Sequence, residues 1–267
     1  MNEPLIGIIG IIILLVLILV GIHISYALIV LGFIGVALIA GFAPATSSLA
    51  SIPFNISNDY NFAVVPLFIL MSAFVSRSDI AREAYDMARA WIGHIKGGLA
   101  MATIGACGIF VATTGSSIAC AVAMGKVAYP EMQKNNYSSG LAAGCIAAGG
   151  TLGILIPPSI SFVVIGILTE VSIGRLFMAG IIPGILEVIF YWITIYIMCT
   201  INPTLGPAAA PTSWSAKAGS LKYTWPVIAL FVLVIGGIYL GIFTPSEAGG
   251  VGAFGALVIG LCRRSLS

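Results

Sequence analysis

Two short segments of the sequence combine hydroxyl side chains with glycine or proline inside long apolar stretches. They read VATTGSSIA at residues 111–119 and AAGGTLGILIPPSISF at residues 147–162. Where a membrane helix is interrupted, the first half ends in free carbonyls and the second half begins with free amides. Carbonyls and hydroxyls suit a desolvated Na⁺, whereas amides at a helix N-terminus suit a carboxylate. The two segments therefore predict one site for a cation and an organic anion.

Neither segment contains a charged side chain, so a cation there would be held by neutral oxygens. We expect Na⁺ to lie against one group of residues and the substrate against another. The Na⁺ group is Thr114, Gly115, Ser116, Ser117, Gly150, Thr151, Gly153 and Pro157, and the substrate group is Thr113 and Ser159. The alternative is that these small residues only allow helices to pack closely.

The composition places these segments in a membrane. Of the 267 residues, 60% are hydrophobic and 7% are charged, whereas a soluble domain has roughly a quarter of its residues charged. A net charge of +2 gives no indication of nucleic-acid binding. Long apolar runs, two of which contain a single glutamate, predict helical spans near residues 5–22, 25–42, 62–76, 176–200, 223–242 and 244–261. Polar residues predict loops at 43–61 and 202–222.

The two remaining uncharged runs have lengths that fit neither one nor two simple spans. Residues 97–125 are 29 uncharged residues with TTGSS in the middle, which favours a re-entrant hairpin of two half-length helices. Residues 135–169 are 35 uncharged residues. They would extend about 50 Å as one helix, against a hydrocarbon core of about 30 Å. We expect the helix to break within GGTLGILIPPS, because proline lacks an amide donor and disfavours helical torsions in the residue before it.

The charged residues predict an amphipathic arm and the orientation of the chain in the membrane. In residues 77–96, charged and apolar residues recur at helical spacing, which is typical of an amphipathic arm along the membrane surface. A solvated connector is the alternative. With the N-terminus outside, ten of the 11 Lys and Arg residues fall in inner loops and only Arg175 lies outside. The positive-inside rule therefore predicts an outside N-terminus.

Three further features have more ordinary interpretations. Thr244, Pro245 and Glu247 form the pattern of a helix capping box. Glu187 lies within a predicted span, where a buried acid indicates a functional group, and an interhelical hydrogen bond and a position facing a partner subunit are the equal alternatives. The five cysteines lack metal-ligand spacing, which favours a packing role. An intramembrane enzyme using Ser116 or Ser117 as nucleophile has no evident base.

The sequence resembles the DctM-like large membrane subunit of tripartite ATP-independent periplasmic (TRAP) transporters. The resemblance is carried in family order by PLFILMSAF, GIFVATTGSSIACAVAMGKVAYPEM, AAGCIAAGGTLGILIPPSISFVVIGILTEVSIGRLFMAGIIPG and GIFTPSEAGGVGAFGAL. It implies a Na⁺-coupled, elevator-type importer of organic acids such as C4-dicarboxylates in the bacterial or archaeal inner membrane, with no other cofactor. Its partners would be a small membrane subunit and a soluble periplasmic substrate-binding protein. By position, the resemblance places the hairpin tip and the helix break in the Na⁺ and substrate sites.

The predicted fold is an all-α polytopic membrane transporter with a re-entrant hairpin and a broken helix. A faint similarity between GIHISYALIVLGFIGVALI and GIFTPSEAGGVGAFGALVI suggests an inverted repeat. We therefore expect residues 1–222 to form a first repeat and residues 223–267 to begin a second. Because family members carry a second hairpin and a second broken helix, the resemblance implies a truncated or split permease. A channel or an assembly subunit is the alternative function.

Overall fold

A computed structural model describes residues 3–263, and within this range the chain is helical without strands. The α-helices are α1 Glu3–Leu19, α2 Ile24–Ala40, α3 Phe42–Ser57, α4 Val64–Arg77, α5 Ile80–Ile92, α6 Gly98–Thr114, α7 Ser117–Lys134, α8 Ser139–Leu155, α9 Ile160–Thr169, α10 Ile173–Ile201, α11 Trp214–Phe231, α12 Gly237–Tyr239 and α13 Pro245–Cys262. A 3₁₀-helical turn spans Tyr60–Ala63, and a short π-helix spans Val232–Gly236. The chain divides into two compact units, residues 1–62 and 63–267. The all-α prediction is confirmed.

The first unit consists of α1, α2 and α3, which pack in sequence order. The two predicted spans correspond to α1 and α2, each 17 residues long and almost entirely exposed along its apolar surface. The predicted loop at 43–61 is wrong, because most of it forms α3. Pro44 lies in the first turn, where no amide donor is needed, whereas Pro53 lies inside the helix. The Thr46 hydroxyl donates back to the helix carbonyls of Phe42 and Ala43.

Several helices of the second unit are long and apolar enough to cross a bilayer. Among the described residues these are Ser139–Thr169, Ile173–Ile201 and Pro245–Cys262, with a possible total of five if each bent helix pair counts as one span. The predicted spans at 176–200 and 244–261 correspond to α10 and α13. The predicted loop at 202–222 ends earlier than expected, because α11 already begins at Trp214. Its N-terminus is capped by the Ser213 hydroxyl, which accepts from the Ala216 amide.

The centre of the second unit is α6, which is buried on nearly all sides. It contacts α4, α5, α7, α8, α10 and α11. A helix surrounded in this way needs small residues where neighbours approach, and a methyl group at Gly105 would lie 3.4 Å from the Trp192 ring. The Trp192 indole also donates to the Met101 carbonyl at 2.9 Å, which fixes α10 against α6. The site described below is therefore held by a densely packed helix.

Helix α5 is the predicted amphipathic arm. It bends away from α4 by 66°. The apolar stripe is confirmed at Ile80 and Ala84, which are buried, whereas Trp91 is 41% exposed. Two ion pairs of 2.6 Å, Glu83–Arg263 and Arg89–Glu131, connect the arm to the end of α13 and to α7.

Candidate functional site at the hairpin tip and helix break

The hairpin consists of α6 and α7, joined by a turn of only two residues. Gly115 adopts a left-handed conformation with φ 60°, which glycine accommodates without steric cost. Ser116 is extended, and its hydroxyl accepts from the Ala119 amide at 3.3 Å, capping α7. The predicted tip at residues 113–117 is therefore confirmed. The helices are 17 and 18 residues long, so they exceed the predicted half length.

The predicted break lies between α8 and α9, over residues 156–159. Pro157 and Pro158 are buried within it. The Ser159 hydroxyl, 1% exposed as a residue, donates across the break to the Ile154 carbonyl at 2.8 Å. The Ser159 hydroxyl makes no side-chain cap to α9.

The hairpin tip and the break lie directly against each other. A methyl group at Gly115 would overlap the carbonyl oxygen of Pro158. Farther along α8, a methyl at Gly153 would lie 2.8 Å from the Ser117 amide nitrogen, and one at Gly150 would lie 3.3 Å from the Ser117 carbonyl oxygen. The glycines therefore permit a close approach of the two backbones.

The hydroxyl groups of three residues at this contact each donate a hydrogen bond to a backbone carbonyl of a helix. Thr113 and Thr114 are buried, and both donate to the Phe110 carbonyl, at 2.9 and 3.1 Å. Since a hydroxyl has one proton and two lone pairs, a threonine that gives its proton to a carbonyl keeps its oxygen available as an acceptor. The same holds for Ser159. These oxygens can contact a cation without any change in their existing donor bonds.

Thr151 does not join this cluster, although it was predicted to do so. The segment from Gly150 to Leu155 is helical, so its backbone is part of α8 and does not form the break. The Thr151 hydroxyl points towards α10 instead, where it lies 2.8 Å from Glu187 Oε1 and 2.9 Å from the Tyr191 hydroxyl. The physical reason is that glycines within a packed membrane helix are tolerated because neighbouring helices hold the helix together.

The carboxyl group of Glu187 is the second polar feature of this region. Its Oε1 accepts from Tyr191 at 3.0 Å, and its Oε2 is buried with no hydrogen-bond partner within the described residues. An interhelical hydrogen bond, one of the alternatives for Glu187, is therefore present through Thr151, whose hydroxyl also lies 2.6 Å from the Ala148 carbonyl. Sequence reasoning missed Tyr191, although its spacing of four residues from Glu187 placed both on one helix face.

Sequence reasoning also missed the importance of the Pro158 carbonyl, since only Pro157 of the proline pair was placed in the Na⁺ group. The capping box at the start of α13 is confirmed, with Thr244 and Glu247 each bonded to the backbone of the other. Among residues 3–263, no group of three or more His, Cys, Asp or Glu side chains is placed to hold a metal ion. The hairpin tip and the break, composed of neutral oxygens and helix ends, therefore form the main candidate site.

Comparison with known proteins agrees with the predicted resemblance. The family described as "Tripartite ATP-independent periplasmic transporter, DctM component" matches residues 11–267. The C4-dicarboxylate TRAP transporter large permease protein DctM of Pseudomonas aeruginosa is 41% identical over 226 residues, covering 84% of this chain and 52% of the relative. Its counterpart in Vibrio cholerae is 42% identical over 211 residues, covering 78% of this chain and 46% of the relative.

A relative with a different named substrate matches almost the entire chain. The ectoine/5-hydroxyectoine TRAP transporter large permease protein UehC of Ruegeria pomeroyi is 33% identical over 255 residues, covering 95% of this chain and 59% of the relative. The chain spans about half the length of the curated relatives it matches. The apolar helices and these relatives identify a multi-pass membrane protein, and the chain belongs to the DctM family of TRAP transporter components.

Proposed function

We propose that this chain is the large membrane subunit of a Na⁺-coupled secondary transporter that imports small organic acids. In this proposal a periplasmic binding protein delivers the substrate, and a small permease subunit completes the membrane complex. Family membership supports the transport role. We favour a C4-dicarboxylate as substrate, because the two relatives above 40% identity carry that name.

The observation that carries the proposal is the contact of Gly115 with the Pro158 carbonyl. It brings together the C-terminal ends of α6 and α8 and the N-terminal ends of α7 and α9. Helix C-termini present partial negative charge, which suits Na⁺, and helix N-termini present amides, which suit a carboxylate. A monovalent cation fits this site better than a divalent one, since no acidic side chain lies in either segment.

The proposal includes an orientation and a mode of movement. The distribution of Lys and Arg supports an outside N-terminus in the inner membrane. We further propose that the hairpin and the broken helix move together, in an elevator fashion, because their backbones are packed at Gly150, Gly153 and Ser117. A rigid pair of elements can carry a bound ion without disturbing its ligands.

The test is uptake of a labelled C4-dicarboxylate into proteoliposomes containing this chain, the small subunit and the binding protein. We expect uptake with an inward Na⁺ gradient and little uptake when choline replaces Na⁺. Gly150→Val should weaken the Na⁺ dependence, since the larger side chain would displace Ser117. Gly144→Val is the matched control on the same helix, because nothing lies within 4 Å of a methyl at that position.

Each alternative function predicts a different result in this uptake assay. Flux that is independent of Na⁺ and does not need the binding protein would identify a channel. Absence of uptake with all three components present, with a folded chain and a functional binding protein, would refute transport by this chain in that complex and favour an assembly role. Equal Na⁺ dependence in the Gly150 and Gly144 variants would show that the hairpin tip and the break serve for packing alone.

A further inference from the structure

A polar cavity lies between the arm and the part of α7 remote from the hairpin tip, away from the candidate transport site. It has a volume of about 180 Å³ and is formed by one face of α5 and one face of α7. The charged residues facing it are Arg82, Asp86, Arg89, Lys126, Glu131 and Lys134. Lys126 and Lys134 follow Ser117 by 9 and 17 residues. They therefore lie roughly 13 and 25 Å along α7 from the tip, at about 1.5 Å per residue.

The cavity has an excess of positive charge. Arg89 and Glu131 neutralise each other in an ion pair of 2.6 Å. Within the described part of the chain, no carboxylate lies within 4.0 Å of the basic groups of Arg82, Lys126 or Lys134. Only Asp86 opposes these three cations, and burial, the largest effect, raises the pKa of its carboxyl group. The lining therefore attracts an anion.

A second and independent feature of the cavity is an unused donor. Tyr85 lines the cavity and is 1% exposed, and its hydroxyl is buried without a hydrogen-bond partner among residues 3–263. A buried hydroxyl without a partner costs free energy, so its presence beside a cationic cavity indicates an acceptor that belongs there. A bound oxyanion would accept this bond.

We propose that this cavity binds a phosphate group, contributed by the headgroup of an anionic phospholipid or by free phosphate. The phosphate oxygens would accept charge-assisted bonds from Arg82, Lys126 and Lys134 and a hydrogen bond from Tyr85. The volume suits one such group, since pockets for larger ligands measure about 300–1,000 Å³. Basic pockets between membrane helices are a recurrent way of holding lipid headgroups.

The spacing of the charged residues on both helices supports a defined binding site. Arg82, Asp86 and Arg89 are spaced at i, i+4 and i+7 on α5, and Lys126 and Lys134 are two turns apart on α7. The lining thus follows helical periodicity on both elements. A phosphate bound there would connect the arm to the hairpin in the same way as the Arg89–Glu131 pair does.

The experiment measures binding to the purified 267-residue chain in detergent by native mass spectrometry and thermal unfolding. One arm adds phosphatidylglycerol, a second adds phosphatidylcholine, and a third adds inorganic phosphate against chloride at equal ionic strength. A shift with phosphatidylglycerol alone identifies the lipid as the source, and a shift with inorganic phosphate identifies the free anion. Either result supports the site, and no shift in any arm refutes it.

Variants separate a defined site from general attraction to a charged surface. Lys126→Gln and Lys134→Gln should each weaken binding about fivefold, the effect of one cation near an anionic lipid. Lys96→Gln is the matched control, because Lys96 is exposed and does not line the cavity. Its effect should be less than about twofold, since its charge is not in contact with the phosphate. An equal loss in Lys96→Gln would indicate diffuse attraction and overturn the proposal.

Tyr85→Phe provides a test without any change of charge. If the hydroxyl donates to a bound phosphate, this variant should weaken binding several-fold while remaining folded. If nothing binds, removal of an unpartnered hydroxyl should stabilise the chain and leave the response to every additive unchanged. That second result would also overturn the proposal.

Discussion

Replacement of Gly115 by alanine provides a direct test of the contact between the hairpin tip and the helix break. Two costs are expected. The first is conformational, since a left-handed backbone costs a residue with a Cβ atom about 1–2 kcal/mol. The second is steric, because the methyl group would overlap the Pro158 carbonyl oxygen. A backbone oxygen cannot rotate away, and overpacking of this kind costs about 1–3 kcal/mol.

The chain contains a control that isolates the steric cost. Gly241 has φ +70°, close to the φ +60° of Gly115, and nothing lies within 4 Å of a methyl group placed on it. Gly241→Ala should therefore carry only the conformational cost. Both substitutions restrict the unfolded chain equally, so this contribution cancels between them. The difference between the two variants measures the contact alone.

The assay is thermal unfolding of both variants and the parent in one detergent, with helicity followed by circular dichroism. For a chain of this size, each kcal/mol corresponds to roughly 2–4 °C. Gly115→Ala should therefore unfold several degrees below Gly241→Ala. The effects of independent substitutions on the free energy of unfolding add to within about 0.5 kcal/mol. If the losses in the two variants agree to that accuracy, the tip does not press against the break and the site as described is wrong.

Three other predictions concern the ends of helices. Glu247→Ala should lower the melting temperature through loss of the capping box, while the glutamine variant keeps most of the parent's stability, as measured by thermal unfolding. A cysteine at Lys96 in a Cys262→Ser background should react with an impermeant thiol reagent only from the cytoplasmic side, and labelling from outside would contradict the proposed orientation. A double-mutant cycle on Glu83 and Arg263, whose side chains are 20% and 25% exposed, should give a coupling of about 0.5–1 kcal/mol by unfolding, and zero coupling would remove this pair as a brace for the arm.

The broken helix was predictable because length and chemistry agreed. An uncharged run of 35 residues exceeds one bilayer crossing, and Pro157 and Pro158 provide the only adjacent proline pair in the sequence. The hairpin was predictable for the same kind of reason, since Gly115 lies in the middle of a run too short for two ordinary spans. In both cases a global constraint on length located the region, and a local backbone preference located the turn.

The loop predicted at 43–61 is wrong because composition alone does not decide between a turn and a helix. Serine, threonine and proline favour turns in water, since their side chains compete for backbone hydrogen bonds. In α3 the Thr46 hydroxyl instead turns back onto the helix and donates to the Phe42 carbonyl. A hydroxyl bonded in this way does not compete with the helical hydrogen bonds of the backbone amides.

Contacts between charged side chains of distant helices lay beyond sequence reasoning. The cavity beside the arm joins Arg82 to Lys126, which are 44 positions apart, and no local pattern relates the two. The pairing of Glu83 with Arg263 spans 180 positions. Such pairs depend on how α5 packs against α7 and approaches the end of α13, and the apolar stripe of α5 predicts only which face is buried.

Thr151 lies outside the predicted Na⁺ site, and this changes the roles expected of Gly150 and Gly153. Successive side chains of an α-helix are separated by about 100°, so once α8 continues to Leu155, Thr151 cannot share a direction with both Gly150 and Gly153. The glycines face Ser117 and Thr151 faces Glu187. The oxygens proposed to contact Na⁺ therefore reduce to those of the tip and of residues 156–159. In this arrangement Gly150 would act on the ion only indirectly, by setting how closely Ser117 and the tip approach the break.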